Sequence, residues 1–477
     1  MRDFEVVIGL EVHAQLRTQS KIFCSCSTVF GLEPNTNTCE VCLGMPGVLP
    51  VLNRAVVDCG IKLGLATGCS VEPVTVFARK NYFYPDLPKG YQITQYDHPL
   101  CSNGHLDIEV GGEKKRIGIV RIHMEEDAGK TIHDEDKPLS FIDFNRAGVP
   151  LLEIVSRPDL RSSSEAVEYL KVLRLLLMYL EICDGNMEEG SFRCDANVSV
   201  KPVGQQVLGI RTELKNMNSF RNVHKALDYE VRRQIELLAK GDTVVQETRL
   251  WNAALNESQP MRSKEESHDY RYFPEPDLVP VVVDEAWIDE IRATLPELPS
   301  DKRARFATTY GLPSYDTEVL TQSRALADFF EQCVEILDSP KDISNWIMTE
   351  VLHVLKVRGK GIGQLGLGPP EIAGLLALIR EGTLSGTLAK EVFSEMVASG
   401  RDAHSIVSEK GLEQLSDKER IREAIEVVLN EHPKEVARYR GGKTQLLGFF
   451  VGQVMKATRG KANPNLTNTL IREMLDS

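Results

Sequence analysis

Four cysteines lie close together near the start of the chain. Cys24 and Cys26 form a C-x-C pair, twelve residues follow, and Cys39 and Cys42 form a C-x₂-C pair. Two chelating thiolate pairs joined by one loop are typical of a tetrahedral zinc site. Because four protein ligands leave no coordination position for water, the spacing predicts a structural zinc loop at 24–42. The alternative is ordinary reduced cysteine, which is expected for the rest of the ten cysteines.

Carboxylate, imidazole and amide groups recur at every second residue of two strand-like segments. In FEVVIGLEVHAQL, Glu11 and His13 share one face, because successive side chains of a strand point to opposite sides. FRCDANVSV places Arg193, Asp195 and Asn197 on one face in the same way. For each segment taken alone, the simpler interpretation is a polar face in contact with solvent.

Two further segments extend this pattern. IRTELKN aligns Arg211, Glu213 and Lys215, and RIHMEEDAGK contains a run of three acids that includes Glu126. Consecutive acids repel one another unless solvent or a cation neutralises them. If these faces converge in a concave sheet, carboxylate ligands for Mg²⁺ would lie beside donors that suit phosphate. The spacing favours this nucleotide-phosphate site and a solvent-facing amphipathic sheet about equally.

The segment ARKNYFYPDLPKGYQITQY combines basic and aromatic side chains. Lys80 and Asn81 stand directly before the aromatic residues Tyr82, Phe83 and Tyr84. Cations beside stacking platforms suit a base or the end of a polynucleotide. Loops rich in tyrosine also serve as packing covers, so the segment alone does not decide between these uses.

Secondary-structure patterns separate the chain into a strand-rich and a helix-rich part. Up to about residue 290, short alternating runs are divided by Gly, Pro and Asn, and two longer stretches have helical spacing. The first of these predicted helices has Ser164 as its N-cap, and the second ends at Gly241. The first part is therefore predicted to be α+β with a largely antiparallel sheet.

The rest of the chain is predicted to be almost entirely helical. The shift in composition predicts three domains at 1–292, 293–407 and 408–477. A basic stretch formed by Lys456, Arg459 and Lys461 follows the last long apolar helix. Such a stretch can contact an RNA backbone, or it can be the solvated end of a helix.

Length and composition limit the classes of protein that remain. A chain of 477 residues with 42% hydrophobic and 26% charged residues should fold into several domains. The net charge of −13 excludes a general polycation, so nucleic acid would need a local basic surface. The sequence has neither a membrane-spanning stretch nor the apolar core of a signal peptide, which predicts a soluble protein of the cytoplasm.

Seven long motifs together resemble one family, the B subunits of the tRNA-dependent amidotransferases of bacteria and organelles. They occur in order over nearly the whole chain: VIGLEVHAQL, NYFYPDLPKGYQITQYD, RIHMEEDAGK, GSFRCDANVSV, ELKNMNSF, DYRYFPEPDL and FFVGQVMKATRGKANP. The resemblance implies a cradle-shaped α+β domain, then an all-α helical domain and a small helical tail domain that contacts tRNA.

The resemblance also implies an activity and a set of partners. The family forms a heterotrimer with an amidase (A) subunit and a small C subunit, and in this complex the B subunit binds the misacylated tRNA. This chain would use ATP to phosphorylate the side-chain carboxylate of Glu on tRNA(Gln) or of Asp on tRNA(Asn). Ammonia that the amidase releases from glutamine then displaces the phosphate, so the enzyme is an ATP-dependent carbon–nitrogen ligase. Neither a membrane nor DNA is expected as a partner.

By the same resemblance, the expected cofactors are ATP, Mg²⁺ and a structural Zn²⁺. The residues implied as magnesium ligands are Glu11, His13, Glu126 and Glu213, and Asp195 completes the implied catalytic set. The residues implied as phosphate or carboxylate contacts are Lys80, Asn81, Arg193, Asn197 and Lys215. Some members of the family lack the four cysteines, so zinc is not expected to take part in the chemistry.

Two other functions remain as alternatives. A noncatalytic tRNA-binding or scaffold subunit would need the helical domains and the basic tail, but no convergence of Glu11, Glu126 and Glu213. A zinc-dependent hydrolase would need an open coordination position, and the closed set of four cysteines disfavours it.

Overall fold

The chain forms two compact units. The computed structural model describes residues 4–134, 136–261, 270–412, 418–458, 462 and 464–476. Internal contacts divide the chain into Met1–Leu298 and Pro299–Ser477. The predicted boundaries at 292 and 407 stay predictions. Two of the predicted basic tail residues, Arg459 and Lys461, lie outside the described residues.

The first unit is built on a long antiparallel sheet. Its strands are β1 (Phe4–Gln15), β2 (Ser70–Val71), β3 (Val74–Thr75), β4 (Phe77–Asn81), β5 (Tyr91–Gln95), β6 (Cys101–Val110), β7 (Glu113–Glu126), β8 (Lys130–His133), β9 (Ser140–Asp143), β10 (Pro150–Ser156), β11 (Phe192–Pro202), β12 (Thr212–Lys215), β13 (Glu247–Asn252), β14 (Glu257–Pro260), β15 (Phe273–Pro274) and β16 (Val281–Val282).

Nine of these strands form the main sheet in the order β14-β13-β12-β11-β1-β10-β7-β6-β2. Neighbouring strands are antiparallel except for β12 and β13, which are parallel. A smaller sheet has the order β15-β4-β5, and β16 with β3 and β8 with β9 form separate pairs. The predicted α+β class with a largely antiparallel sheet is confirmed.

Helices of the first unit cover the apolar side of the main sheet. They are α1 (Arg54–Ala66), α2 (Ser163–Tyr179), α3 (Phe220–Ala239) and α4 (Glu285–Ala293). The apolar residues of β1, β10 and β11 are buried in one core together with those of α2 and α3. This arrangement leaves the opposite, polar side of the central strands for the candidate site.

The predicted N-cap of one helix is wrong, and another helix was not predicted. The N-cap of α2 is Ser162 and not Ser164, because the Ser162 hydroxyl accepts a hydrogen bond from the Glu165 backbone N–H. Serine followed three residues later by glutamate is the start signal that the run of serines obscured. The sequence patterns also missed α1, which has Gly60 and Gly64 within it.

The two glycines of α1 have a packing reason. A Cβ on Gly60 would lie 2.3 Å from the Leu100 side chain, and one on Gly64 would lie 2.5 Å from the Cys101 sulfur. The helix therefore approaches β6 more closely than any larger residue allows. This close packing costs helix propensity, which is why the segment lacks a clear helical signal.

The second unit consists of helices. They are α5 (Pro299–Thr309), α6 (Ser314–Leu320), α7 (Arg324–Ile336), α8 (Pro340–Trp346), α9 (Leu352–Arg358), α10 (Pro369–Arg380), α11 (Gly386–Ser399), α12 (Ala403–Lys410), α13 (Lys418–Glu431), α14 (Pro433–Arg440), α15 (Leu447–Ala457) and α16 (Pro464–Asp476). A π-helical turn, Ile347–Val351, joins α8 to α9.

Buried apolar residues of the second unit form two clusters. One extends from Phe306 to Val407, and the other from Ile421 to Leu475. In the described part of the chain, none of the helices has an apolar stretch long enough to cross a lipid bilayer.

Candidate active site and metal centre

Polar side chains from neighbouring strands share one face of the main sheet. β1 lies between β10 and β11, and the register places Glu11 opposite Asp195. It also places His13 between Arg193 on one side and Glu153 on the other. Directly opposite residues of an antiparallel pair project to the same side of the sheet. We call this side, formed by β1, β7, β10, β11 and β12, the acid face.

One end of the acid face holds three carboxylates with an amide and an ammonium group. Asn197 donates a hydrogen bond from Nδ2 to Oε1 of Glu11 at 2.9 Å and pairs in register with Glu213. The Lys215 Nζ lies 2.6 Å from Oδ2 of Asp195 and 3.0 Å from Oε1 of Glu213. The structure therefore brings together five residues that the sequence patterns had singled out.

The carboxylates at this end are incompletely neutralised. Burial raises the pKa of Glu11, and the nearby carboxylates of Glu153 and Glu213 raise it further. Burial alone would raise the pKa of Glu213 as well, but Lys215 and the Thr248 hydroxyl hold it below its usual value. Acids that crowd one another in this way form a favourable position for a cation.

Two histidines and two glutamates form the other end of the acid face. The His13 Nε2 lies 3.5 Å from Oε1 of Glu125 and 3.5 Å from Oε2 of Glu153. The His123 Nε2 lies 3.0 Å from that same Glu153 oxygen. Ligand atoms of His13, Glu125 and Glu153 all lie within 4.8 Å of one another, close enough to share a metal ion.

The charge state of this histidine end follows from its geometry. Burial alone would lower the pKa of His123, but the Glu153 and Glu125 carboxylates outweigh burial and raise it to about 9. Burial opposes protonation of His13 too, yet the hydrogen bond to Glu153 raises its pKa above the usual value. Without a metal, the protonated imidazole of His123 therefore compensates these buried acids, and His13 binds a proton more readily than a free imidazole.

The carboxylate of Glu126 has different neighbours. Glu125 and Glu126 are consecutive in β7, so their side chains point to opposite sides, and Glu125 is the one that faces the histidines. Glu126 accepts a hydrogen bond from the Ile93 backbone N–H at 2.8 Å and pairs with the Lys89 ammonium. A shared magnesium site for Glu126 and Glu11 stays a prediction.

Arg193, which was expected to contact phosphate or carboxylate, is engaged within the chain. Its Nη1 and Nη2 atoms lie 2.9 and 3.1 Å from the two oxygens of Asp127. Gln15 also donates a hydrogen bond to that carboxylate at 2.8 Å. Burial would raise the pKa of Asp127, but Arg193 and Arg146 hold it below the usual value. This ion pair borders the acid face and holds β11 to the end of β7.

Lys80 and Asn81 lie in the smaller sheet, on β4. The Lys80 Nζ is 4.9 Å from the centre of the Tyr270 ring. The Asn81 side chain donates a hydrogen bond at 2.8 Å to the backbone carbonyl of Arg271. Within the described residues, neither side chain is hydrogen-bonded or ion-paired to the acid face, and their predicted roles stay predictions.

A cleft of about 420 Å³ opens beside Glu11. Gly9 and Glu11 of β1 and Asn197 of β11 form its floor, and residues 208–211 form one wall. Gly209 in this wall is required, because a Cβ there would lie 2.2 Å from the Val200 carbonyl oxygen. The volume and the mixture of apolar and polar lining are typical of a small-molecule site.

Three residues of the acid face, and one residue of the neighbouring strand β13, were not predicted as site residues from the sequence. They are His123, Glu125, Glu153 and Thr248. Glu153 is the one charged residue in the apolar segment PLLEIVS of a central strand, and that isolation is a usable signal. Thr248 had no such signal, because its contact with Glu213 depends on the parallel pairing of β12 with β13.

The four cysteines predicted as zinc ligands come together at one point. One sulfur atom from each of Cys24, Cys26, Cys39 and Cys42 lies within 4.8 Å of the others. The sulfurs of Cys39 and Cys42 are 3.9 Å apart. In a tetrahedral site with zinc–sulfur bonds of about 2.3 Å, neighbouring sulfurs are about 3.8 Å apart. The arrangement therefore fits a metal such as zinc.

The surroundings of Cys42 favour its thiolate form. Its sulfur accepts the Cys39 backbone N–H at 3.2 Å, and the Lys21 Nζ lies 3.7 Å away. A hydrogen bond from the Cys24 thiol, with help from that N–H and Lys21, lowers the pKa of Cys42 to about 5. Thiolates are the form in which cysteine binds metal.

Comparison with known proteins identifies the family. The family described as "GatB/GatE catalytic domain" matches residues 6–289, and the one described as "GatB domain" matches residues 328–475. Curated relatives include the aspartyl/glutamyl-tRNA(Asn/Gln) amidotransferase B subunits of Thermodesulfovibrio yellowstonii, Solidesulfovibrio magneticus and Thermoanaerobacter pseudethanolicus.

These relatives match the whole length of the chain. The first is 59% identical and covers 99% of both chains, the second is 58% identical and covers 100% of both, and the third is 56% identical and covers 99% of both. Matches of this length and identity extend through both compact units. The chain belongs to the family of aspartyl/glutamyl-tRNA(Asn/Gln) amidotransferase B subunits.

Proposed function

We propose that the acid face phosphorylates the side-chain carboxylate of a misacylated tRNA with ATP and then passes the acyl phosphate to ammonia. The observation that carries this proposal is the convergence of Glu11, Asp195 and Glu213 with Asn197 and Lys215 beside an open cleft. A protein that only binds tRNA has no need to bury several carboxylates against one another, because such burial is unfavourable without a compensating ligand.

The residues of the face have separate roles in this proposal. Lys215 and Asn197 orient the carboxylates by the contacts already described, and the Lys215 ammonium supplies a positive charge where phosphate oxygens would lie. A free carboxylate is a poor acyl donor, and its conversion to an acyl phosphate makes attack by ammonia feasible. Attack by ammonia on the acyl carbon forms the amide bond and releases inorganic phosphate.

The donor set fits magnesium. Glu11, Asp195 and Glu213 provide hard oxygen ligands, and burial, followed by the carboxylates of Glu153 and Glu213, raises the pKa of Glu11. Bound there, magnesium would offset the negative charge of the triphosphate and of the attacking carboxylate. His13 and Glu126, the other two implied ligands, remain part of the proposal, with Glu125 and Glu153 as further candidates at the histidine end.

We propose that the cleft beside Glu11 receives ATP. Gly9 shares the strand face of Glu11, so the lack of a side chain at Gly9 keeps the floor of the cleft open. A Cβ on Gly9 would lie 3.8 Å from Pro158, which is an ordinary contact. Gly9→Ala should therefore be tolerated, whereas Gly9→Leu should fill the cleft and raise the KM for ATP.

We also propose that Cys24, Cys26, Cys39 and Cys42 hold a structural zinc ion. Four thiolates complete the coordination, so no position remains for a reacting water. Free cysteines are kept reduced in the cytoplasm, which is the proposed location of the protein. The amidase subunit, the small third subunit and misacylated tRNA are the proposed partners.

One reconstitution experiment tests the proposed activity. The chain is purified with its candidate partner subunits, and conversion of Glu-tRNA(Gln) and Asp-tRNA(Asn) to the amides is measured with glutamine or with ammonium as the nitrogen donor. Amidation that requires ATP with both donors is the expected result. Ammonium bypasses the glutaminase, so it isolates the half-reaction assigned to the acid face.

The outcome for Glu11→Gln decides between catalysis and a scaffold role. The variant should retain tRNA binding and lose ATP-dependent amidation with ammonium. Glu5→Gln on the same strand is the matched control, because Glu5 lies six residues before Glu11 and pairs with Arg161 and Lys201. Full activity of Glu11→Gln would favour the noncatalytic tRNA-binding role.

A further inference from the structure

The ammonium group of Lys21 is buried beside the cysteine cluster. The whole residue has 0% exposure, which is unusual for lysine. Its Nζ donates a hydrogen bond to the Asn37 backbone carbonyl at 2.8 Å and lies 3.7 Å from the Cys42 sulfur. Both partners belong to the loop that carries the four cysteines.

A buried charge needs a compensating charge nearby. Removing an ammonium ion from water is costly unless an opposite charge accompanies it. Among the described residues, no carboxylate lies within 4.0 Å of the Lys21 Nζ. Of the two groups that the ammonium does contact, only the Cys42 sulfur can carry negative charge.

The neighbouring Glu126 is committed elsewhere. A Cβ placed on Gly148 would lie 3.5 Å from the Lys21 side chain and 3.9 Å from the Glu126 carboxylate, so both residues border this glycine. The Glu126 carboxylate already pairs with Lys89 and the Ile93 N–H. Lys89 therefore compensates Glu126, and the thiolate cluster remains as the anion for Lys21.

We propose that Lys21 is a positioning residue of the metal centre, the buried cation that compensates and orients the thiolate of Cys42. Four thiolates around Zn²⁺ carry a net charge of −2, and one adjacent ammonium reduces that to −1. The hydrogen bond to Asn37 fixes the ammonium while the loop closes around the metal. This inference rests on the proposed zinc site for its first test and is independent of zinc in its second.

The first test measures how firmly zinc is held. Lys21→Met keeps the length and apolar stem of the side chain but removes the charge. Partners of metal ligands typically contribute about ten- to a hundredfold to metal affinity. We expect extraction of zinc by a competing chelator to be at least about tenfold faster in Lys21→Met than in the unaltered protein, at equal initial zinc content. Lys114→Met, at an exposed lysine of β7, is the matched control and should leave the rate unchanged.

The zinc measurements distinguish failure of the metal site from failure of the role of Lys21. Absence of zinc from the unaltered protein would refute the proposed zinc site. Equal extraction rates for the unaltered protein and Lys21→Met would instead refute the role of Lys21.

The second test asks whether Lys21 responds to charge at position 42 when zinc is removed by a chelator. Cys42→Asp and Cys42→Asn have nearly the same shape and differ in charge. Because an aspartate could pair with Lys21, the unfolding equilibrium should favour the folded state of Cys42→Asp by at least about tenfold over that of Cys42→Asn. Combining each with Lys21→Met should abolish or reverse this preference.

The double variants keep the proposal testable even if the single variant Lys21→Met does not fold. If the ammonium needs an anion, Lys21→Met should stabilise Cys42→Asn, because it removes an uncompensated buried charge. Destabilisation of Cys42→Asn by Lys21→Met would overturn the proposal. Equal stability of Cys42→Asp and Cys42→Asn in the presence of Lys21 would overturn it as well.

Discussion

The two candidate metal sites of the first unit are assembled in opposite ways. The cysteine cluster takes all four ligands from residues 24–42, and soft thiolates close the coordination. The acid face takes hard oxygen ligands from strands that span Glu11 to Glu213, and a cleft keeps it open. A closed local site contributes to stability, whereas an open site built from distant strands leaves room for substrates.

The largest expected effect is a loss of activity that follows a change in the acid face and not a change in the cysteine cluster. Glu11→Gln should reduce ATP-dependent amidation by at least about a hundredfold, because it removes one ligand charge from the proposed magnesium position. Since burial and the nearby carboxylates raise the pKa of Glu11, the variant should unfold at the same or a higher denaturant concentration. A loss of both activity and stability would mean that Glu11 is structural, and the contrast between the sites would fail.

The second largest effect should be a loss of stability with activity retained, the opposite of that expected for Glu11→Gln. Cys39→Ser should remove zinc and destabilise the first unit by about 3 kcal/mol, because a metal link in the fold is lost. Activity per folded molecule should remain. Zinc analysis and denaturant unfolding measure the two quantities, and Cys59→Ser, outside the cluster, serves as the control. One zinc per chain in Cys39→Ser would contradict the proposed site.

A third prediction concerns pH. The pKa of His123 is about 9 in the fold and 6.5 for the free side chain. The folded chain therefore binds more protons between these values, and its stability should fall as pH rises from 6.5 to 9. In magnesium-free buffer we expect the free energy of unfolding to decrease by about 2 kcal/mol over this range. Denaturant unfolding midpoints measured at each pH would show the decrease.

His123→Gln should remove most of this dependence, and His98→Gln, at an exposed histidine, should not. The acid face would then behave as a proton-compensated site when magnesium is absent. A pH dependence that persists unchanged in His123→Gln would show that other groups cause it.

The smallest expected effect sharpens the view that the acid face depends on register. The Thr248 hydroxyl donates a 2.7 Å hydrogen bond to Glu213. Thr248→Val should weaken the binding of the activating magnesium by about 1 kcal/mol. The variant should therefore need a higher magnesium concentration for activity, with little change in the maximal rate. Thr248→Ser keeps the hydroxyl and should preserve the wild-type requirement. Equal behaviour of Val and Ser at this position would assign Thr248 a packing role.

Local patterns explain what could be predicted from the sequence. The alternation in β1 placed Glu11 and His13 on one face, and the cysteine spacing marked a loop that does close on itself. The two longest helices of the first unit followed from their period. In each of these cases, the decisive contacts join residues close together in the chain.

Long-range contacts account for what was missed. Glu125 and Glu126 are adjacent, and only the register of β7 with β10 decides which of them faces His13. The contact of Thr248 with Glu213 requires a parallel pairing that no local pattern reveals. The two glycines of α1 fit the surface of β6, and their benefit appears only after the two elements pack.

The central place of the first strand has a consequence for synthesis of the protein. β1 leaves the ribosome well before its sheet neighbours β10 and β11, which begin at Pro150 and Phe192. A nascent chain can close the cysteine loop early, but it cannot complete the acid face until Lys215 has emerged. Fragments that end before this point should keep the proposed zinc loop but lack the proposed phosphorylating site, so we expect interrupted translation to yield no partly active product.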